Sequence, residues 1–473
     1  MASKNISFDQ IQSSIRKPGK HIEFNTRLAV STLPANRQLV LIVGQVLPTG
    51  TAEPLQSHTV FSDVMAAELF GRGSMAHIMA ERAIKANPYL NLSIIGIPDD
   101  AQAIAASGSV KLAGTASGSG VISLYVGQTR VDISARNGDT AETLMATLQT
   151  AVSKLLDLPL TAEVSQAAVV LTARNKGAAS NDIILRVAST VAGITSTLTP
   201  MSGGAIDPDV KDVLAAVFAG GHNILICPYA TDEAITAFRD HLDAVSHPLE
   251  QRGAIGVAGW RKSFSTGTTL TRKINSGRFS VAWHNGSVMA PFEIAAGYGA
   301  VMASEEDPAR PYNTLSVLGL DVTPLESRPG RTEQEAALYN GLTPLEVGAG
   351  DKVRIVRAIS TYMVNDAGAD DISLLDITTI RTLDYVRKAI LERWELRFPR
   401  EKLSERTPPK VRSETIDVLY KLEALEIIER VAANLEKLLV ERDEQDPNRI
   451  NAAIPADVVN GLHVMAGRID LYL

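Results

Sequence analysis

The chain has 473 residues, 45% hydrophobic, 21% charged and 5% aromatic, which excludes wholesale disorder and suggests about three domains. With 46 basic and 53 acidic residues the net charge is −7, which argues against nucleic acid as a bulk partner. One cysteine, Cys227, excludes an internal disulfide, and eight scattered histidines offer no obvious metal cluster.

Residues 1–38 carry six basic side chains (Lys4, Arg16, Lys17, Lys20, Arg27, Arg37) against Asp9 and Glu23. They lack the apolar segment of an export signal and read as an extended arm. Ile22 and Phe24 alternate with polar neighbours, as in a short strand. Residues 39–44 are a continuous apolar run ended by Gly44, the pattern of a strand buried on both faces. Two helices follow, at 62–70 and 75–86, separated by Gly71-Arg72-Gly73-Ser74, and then a second buried strand at 92–97. Strand, helix, helix, strand is an α/β order.

From 101 to 205 the chain turns rich in Ala, Gly, Ser and Thr. Short strands are expected at 110–112, 121–126, 129–133, 160–164, 169–173 and 183–187, around one helix at 140–156. The α/β texture resumes with a helix at 210–219, a strand at 224–227, a helix at 233–245 and a strand at 254–258. Residues 213–231 carry no charge, yet Gly220-Gly221-His222-Asn223 and Pro228 punctuate them, as expected of a buried helix, turn and strand and not of a membrane span. The chain is expected to be soluble and intracellular. The fold class is therefore an α/β core, discontinuous, with a mixed sheet and flanking helices. It would occupy 39–100 and 206–446, with a small α+β domain inserted at 101–205 and arms at 1–38 and 447–473.

The last hundred residues suggest a long helix at 377–398, ended by Pro399 and Pro408-Pro409, and a second at 413–441 capped by Ser413. Residues 381–412 hold ten basic and five acidic side chains, and residues 414–446 hold ten acidic and four basic ones. These neighbouring stretches of opposite sign suit pairing within the chain or across a subunit contact. At the C-terminus, Ile469, Leu471 and Leu473 alternate with Asp470 and Tyr472. That is a strand in search of a sheet edge, in this molecule or another.

Chemical motifs are weak. No phosphate loop, H-E-x-x-H or G-x-S-x-G occurs. Gly71-Arg72-Gly73-Ser74 follows a helix instead of a strand, so a helix–helix turn explains it better than a dinucleotide loop. Cys227 reads as a small buried hydrophobe, with a Cys–His pair to His222, His241 or His247 as the sharper alternative. Asp99-Asp100, Glu305-Glu306-Asp307 and Asp370-Asp371 read as solvated loop acids, with a metal site as the alternative.

In order and combination these features resemble the contractile tail sheath proteins of Mu-like phages. The resemblance rests on the strand at 39–44, the segment from Phe61-Ser62-Asp63-Val64 to Gly71-Arg72-Gly73-Ser74, and Asn87-Pro88 before the next strand. It also rests on the insertion ended by Ser202-Gly203-Gly204, the run from Leu374 through Asp376, Arg381 and Asp384 to Arg387, and a terminal strand after Asp446-Pro447-Asn448-Arg449. It implies a structural protein and no enzyme, with no cofactor and no metal. Ile22, Phe24, Ile469, Leu471 and Leu473 would lie in arms lent to neighbouring subunits. Arg387, Arg393 and Arg397 would face an inner tube. The implied partners are further copies in six-fold rings, a tail tube protein, and baseplate and tail terminator proteins, without direct nucleic acid or membrane insertion. The implied location is a virion tail assembled in the host cytoplasm. A tail-like bacteriocin or secretion-system sheath is the near alternative, and an α/β enzyme with an inserted domain the distant one.

Overall fold

A computed structural model describes residues 15–22 and 33–472. Phe24 and Leu473 lie outside the described residues. The chain opens with β1 (Leu39–Gln45), β2 (Ser57–Val60), α1 (Asp63–Phe70), α2 (Met75–Ala86) and β3 (Asn91–Ile97). Both helices begin where a serine offers its hydroxyl oxygen to the exposed first turn: Ser62 accepts from the Met65 amide at 3.2 Å and Ser74 from the His77 amide at 3.1 Å. Then come β4 (Ser107–Gly114), β5 (Gly120–Val126), β6 (Thr129–Ala135), α3 (Ala141–Lys154), β7 (Leu160–Ser165), β8 (Ala168–Ala173), β9 (Leu185–Ser189) and β10 (Ile194–Ser202). The α/β pattern returns with α4 (Lys211–Ala216), β11 (Ile224–Ile226), α5 (Asp232–Ser246), β12 (Ile255–Trp260), α6 (Phe264–Ile274), β13 (Phe279–Trp283) and α7 (Pro291–Met302). It closes with α8 (Arg331–Leu338), β14 (Thr343–Gly348) and β15 (Lys352–Ile355).

These strands build an eight-stranded sheet in the order β15-β14-β13-β12-β11-β1-β3-β2. Its six central strands are parallel, and the edge strands β2 and β15 run antiparallel to their neighbours. Helices pack on the sheet, the central strands are largely apolar, and β12 and β13 are wholly buried. Two glycines let the layers close. A Cβ on Gly259 would sit 2.2 Å from the Pro291 carbonyl oxygen at the start of α7, and one on Gly256 would meet Phe279 and Leu242.

Residues 101–205 interrupt this sheet between β3 and α4. Their strands form two small antiparallel sheets, β10-β4-β8-β7 and β6-β5-β9, packed with α3 around a core of their own that includes Ile122, Leu144, Leu148 and Leu171. β10 was not anticipated. Its Thr- and Ser-rich sequence buries Ile194 and Met201 and carries a bulge between Thr199 and Ser202, which spoils simple alternation.

The C-terminal region departs most from expectation. α9 (Ile377–Arg397) is present, but the second helix, α10, spans Thr407–Ala424 instead of 413–441. Pro408 and Pro409 lie in its first turn, where their missing N–H groups cost nothing, and Ser413 is inside it. Glu426, with φ of 57°, turns the chain out of α10, and Arg430, also at 57°, precedes the next helix. A short α11 (Val431–Asn434) and a two-stranded ribbon of β16 (Leu439–Arg442) and β17 (Ile450–Ala453) replace the rest. Tyr385, Val386, Ile390, Val418, Leu419, Leu422, Ile427 and Leu438 form a third core, while Ile377 at the start of α9 belongs to that of the large sheet. α9 thus bridges two cores.

Candidate assembly surfaces

The carboxyl ends of β1 and β3 are where an open α/β sheet ordinarily receives a ligand. Here the inserted segment fills that place. Asn175 Oδ1 accepts from the Met75 amide at the start of α2 (2.9 Å), and its Nδ2 donates to the Val46 carbonyl (3.0 Å) and to Asp99 (3.0 Å). Asp99 also accepts from Gln45 Nε2 (2.8 Å) and the Lys176 amide (2.9 Å). The helix N-terminus is thereby satisfied by the chain itself. Cys227 is fully buried beyond β11, its thiol pushed up to about 12 by burial, far from a thiolate nucleophile. Among the described residues no group of three His, Cys, Asp or Glu side chains is placed to hold a metal, and no helix is long and apolar enough to cross a membrane.

The unfilled surfaces lie at the chain ends. Residues 15–22 form no strand, and Ile22 is 87% exposed. The rear of this arm is fastened to α9: Tyr385 donates to the Pro34 carbonyl at 2.8 Å, Lys388 to the Ala35 carbonyl at 2.9 Å, and Leu33 packs on the third core. The C-terminal segment is fastened to the same unit. The Glu429 amide donates to the Asp457 carbonyl (2.8 Å) and the Val459 amide to the Ile427 carbonyl (3.3 Å). Residues 464–472 have no regular structure, with Val464, Met465, Ile469, Leu471 and Tyr472 all at least 80% exposed. Ile469 and Leu471 therefore pair with no strand of their own subunit among the described residues. The ribbon of β16 and β17 has both outer edges open among the described residues.

The three arginines are placed differently from a free basic face. Arg393, buried, contacts Asp417 at 2.5 Å and Glu414 at 3.0 Å, and Arg397 Nε lies 3.3 Å from Glu414. Burial opposes the Arg393 charge, but the hydrogen bonds it donates to Asp417 and Glu414 outweigh it and leave the group raised. Arg387 donates to the Ser246 carbonyl (2.9 Å) and to Asp384 (3.0 Å), which is itself held in a fork by Arg278 at 2.7 and 3.0 Å. Arg393 and Arg397 are thus paired with the acidic stretch at 414–446, one of the two pairings the opposite signs allowed, whereas Arg387 shares Asp384, of its own stretch, with Arg278. The anchors Tyr385, Lys388, Asn313 and His463 were missed, because nothing in their local sequence marks which distant backbone they meet.

The fold is that of sheath tail proteins. The sheath tail protein of Desulfitobacterium hafniense aligns with a TM-score of 0.51 at 14% identity, covering 94% of this chain and 97% of that one. The sheath tail protein of Listeria innocua aligns at 0.52 and 13% identity, covering 92% and 94%. Models of the phage tail sheath protein central domain and of the phage tail sheath C-terminal domain match residues 203–361 and 369–471. The Mu-like prophage FluMu tail sheath protein of Haemophilus influenzae is 31% identical over 487 aligned positions, which cover 99% of this chain and 100% of that protein. The chain belongs to the phage tail sheath family.

Proposed function

We propose that this chain polymerises as stacked six-fold rings around an inner tail tube and contracts to drive the tube through a host envelope for genome delivery. The observation that carries this reading is the pairing of unmet valences at the chain ends: exposed alternating apolar residues at 469–472 and a two-stranded ribbon with open edges. An isolated two-stranded ribbon is marginal in water, and an arm from a neighbour added to its edge would extend it. A head-to-tail contact of that kind repeats into rings and helices. Contraction would then be a population shift between two packings of the subunits, with the arms persisting as hinges. A difference of a few kcal/mol per subunit, summed over many copies, is enough to do mechanical work.

The inserted unit at 101–205 would face outward, and the α9–α10 unit would contact the tube. Arg387, Arg393 and Arg397 could join that contact by trading their present carboxylate and carbonyl partners for tube groups. Baseplate and tail terminator proteins would bound the polymer, and the assembled protein would reside in the virion tail after assembly in the host cytoplasm. Negative-stain microscopy of the purified protein tests the reading. Long hollow tubes support it, and a uniform small particle in all conditions contradicts it.

A further inference from the structure

The C-terminal arm leaves the body at one defined point. Gly461 lies against Pro311, where an added Cβ would come within 2.5 Å of the ring. Two residues on, the His463 side chain is 15% exposed, its Nδ1 2.8 Å from Asn313 Nδ2 and its Nε2 3.4 Å from Asp376 Oδ1. Asp376 is fixed in turn by a fork from Arg357, at 2.8 and 2.7 Å, just ahead of α9. From Val464 to Tyr472 the chain makes no comparable attachment.

We propose that His463 is a positioning residue, a latch whose seat between Asn313 and the Asp376–Arg357 pair sets the free length of the arm lent to a neighbouring subunit. The functional part rests on the assembly reading above. With the latch closed the free arm is 464–473, ten residues, with a reach of at most about 35 Å. With it open, the next attachment back is Val459 on Ile427, which lengthens the free arm by about 13 Å. Such slack would let the arm stay bound while subunits shift past one another.

The latch also has a built-in sign toward acid. With the Asn313 amide nitrogen facing it, Nδ1 accepts and the neutral imidazole carries its proton on Nε2, which lies near Asp376 without a hydrogen bond. A proton added at Nδ1 would set two donors head to head. Asn313 Oδ1 is buried without a partner, so recovering the bond would require the amide to turn over. The charged groups acting on the ring are Asp376, which favours protonation, and Arg357, which opposes it. Burial is the largest influence and holds the imidazole below its ordinary 6.5. The released arm titrates normally, so docking is complete above that value and weakens as pH falls below it.

The test uses the full-length unassembled subunit with nitroxides at Leu462→Cys and Tyr339→Cys, both exposed sites, Cys227 being buried. Pulsed dipolar distances at pH 7.5 should be one narrow population in the wild-type background and broad in His463→Ala. At pH 5.5 the broad fraction of wild type should rise, by up to about tenfold, while His463→Gln, which cannot titrate, should not respond to pH. A narrow distribution in His463→Ala overturns the latch. An unchanged wild type at pH 5.5, or an equal acid response in His463→Gln, overturns its acid release. Because these distances are read without polymer, absence of tubes would instead defeat the assembly reading and the arm-length role with it.

Discussion

The eight-stranded sheet and the C-terminal region answer the same physical demands in opposite ways. In the sheet, β12 and β13 are buried on both faces, and the β15 edge is covered by backbone bonds from residues 314–317. In the C-terminal region, α9 and α10 bury a core of their own, but the ribbon beside them has open edges and the tail beyond His463 shows its apolar side chains to water. Burying five such side chains is worth on the order of 8–15 kcal/mol before ordering costs. The first region buries its core within the monomer and leaves only the four-residue β2 as an open edge among the described residues. The second leaves apolar side chains and strand edges unmatched, which the proposed arm exchange would fill, although α9 ties the two together through Asp384 and Arg278.

That contrast is open to direct attack. The largest effect should come from the sheet: Gly259→Ala puts a methyl 2.2 Å from the Pro291 carbonyl, and a destabilisation of at least about 3 kcal/mol is expected in urea unfolding. Next, Arg393→Ala leaves Glu414 and Asp417 without their buried partner. It should cost about 2–3 kcal/mol and speed hydrogen exchange in α9 and α10 while β1 and β12 keep their protection. The smallest effect belongs to the ribbon turn. Asp443 is held at about 2 by hydrogen bonds from the Asp446 amide, the Asn451 side chain and the Gln445 amide. Its contribution is complete above the ordinary carboxylate range and is lost as pH falls through about 2. Asp443→Asn should therefore speed amide exchange at Gln445 and Asp446 at pH 7, and elsewhere leave exchange as in wild type.

β1, β3, β11 and β12 were legible because they are apolar runs, bounded by glycine at 39–44 and 254–258, whereas β2, β13, β14 and β15 were not expected. The helix expected at 413–441 shows where that legibility ends. Ile427, Ile428, Val431 and Leu438 do turn inward, as their spacing implied, but they do so from a turn, a short helix and a strand boundary. Periodicity reports which side chains are buried, not whether the backbone between them is continuous. The arginines of α9 teach the same lesson for the candidate site. A basic run on one helix says nothing about its partner until tertiary structure sets Glu414 and Asp417 beside it. The alternation at 469–472 forms no strand in this subunit, and its exposure leaves it without a partner there among the described residues.

Removing residues 464–473 tests the central claim most directly, with thermal unfolding and negative-stain microscopy read on the same sample. The tail makes so few contacts that the shortened chain should melt within about 1–2 °C of wild type, yet form no tubes where the full chain forms them. Tubes assembled by the shortened chain, or a monomer that no longer folds, would contradict the account.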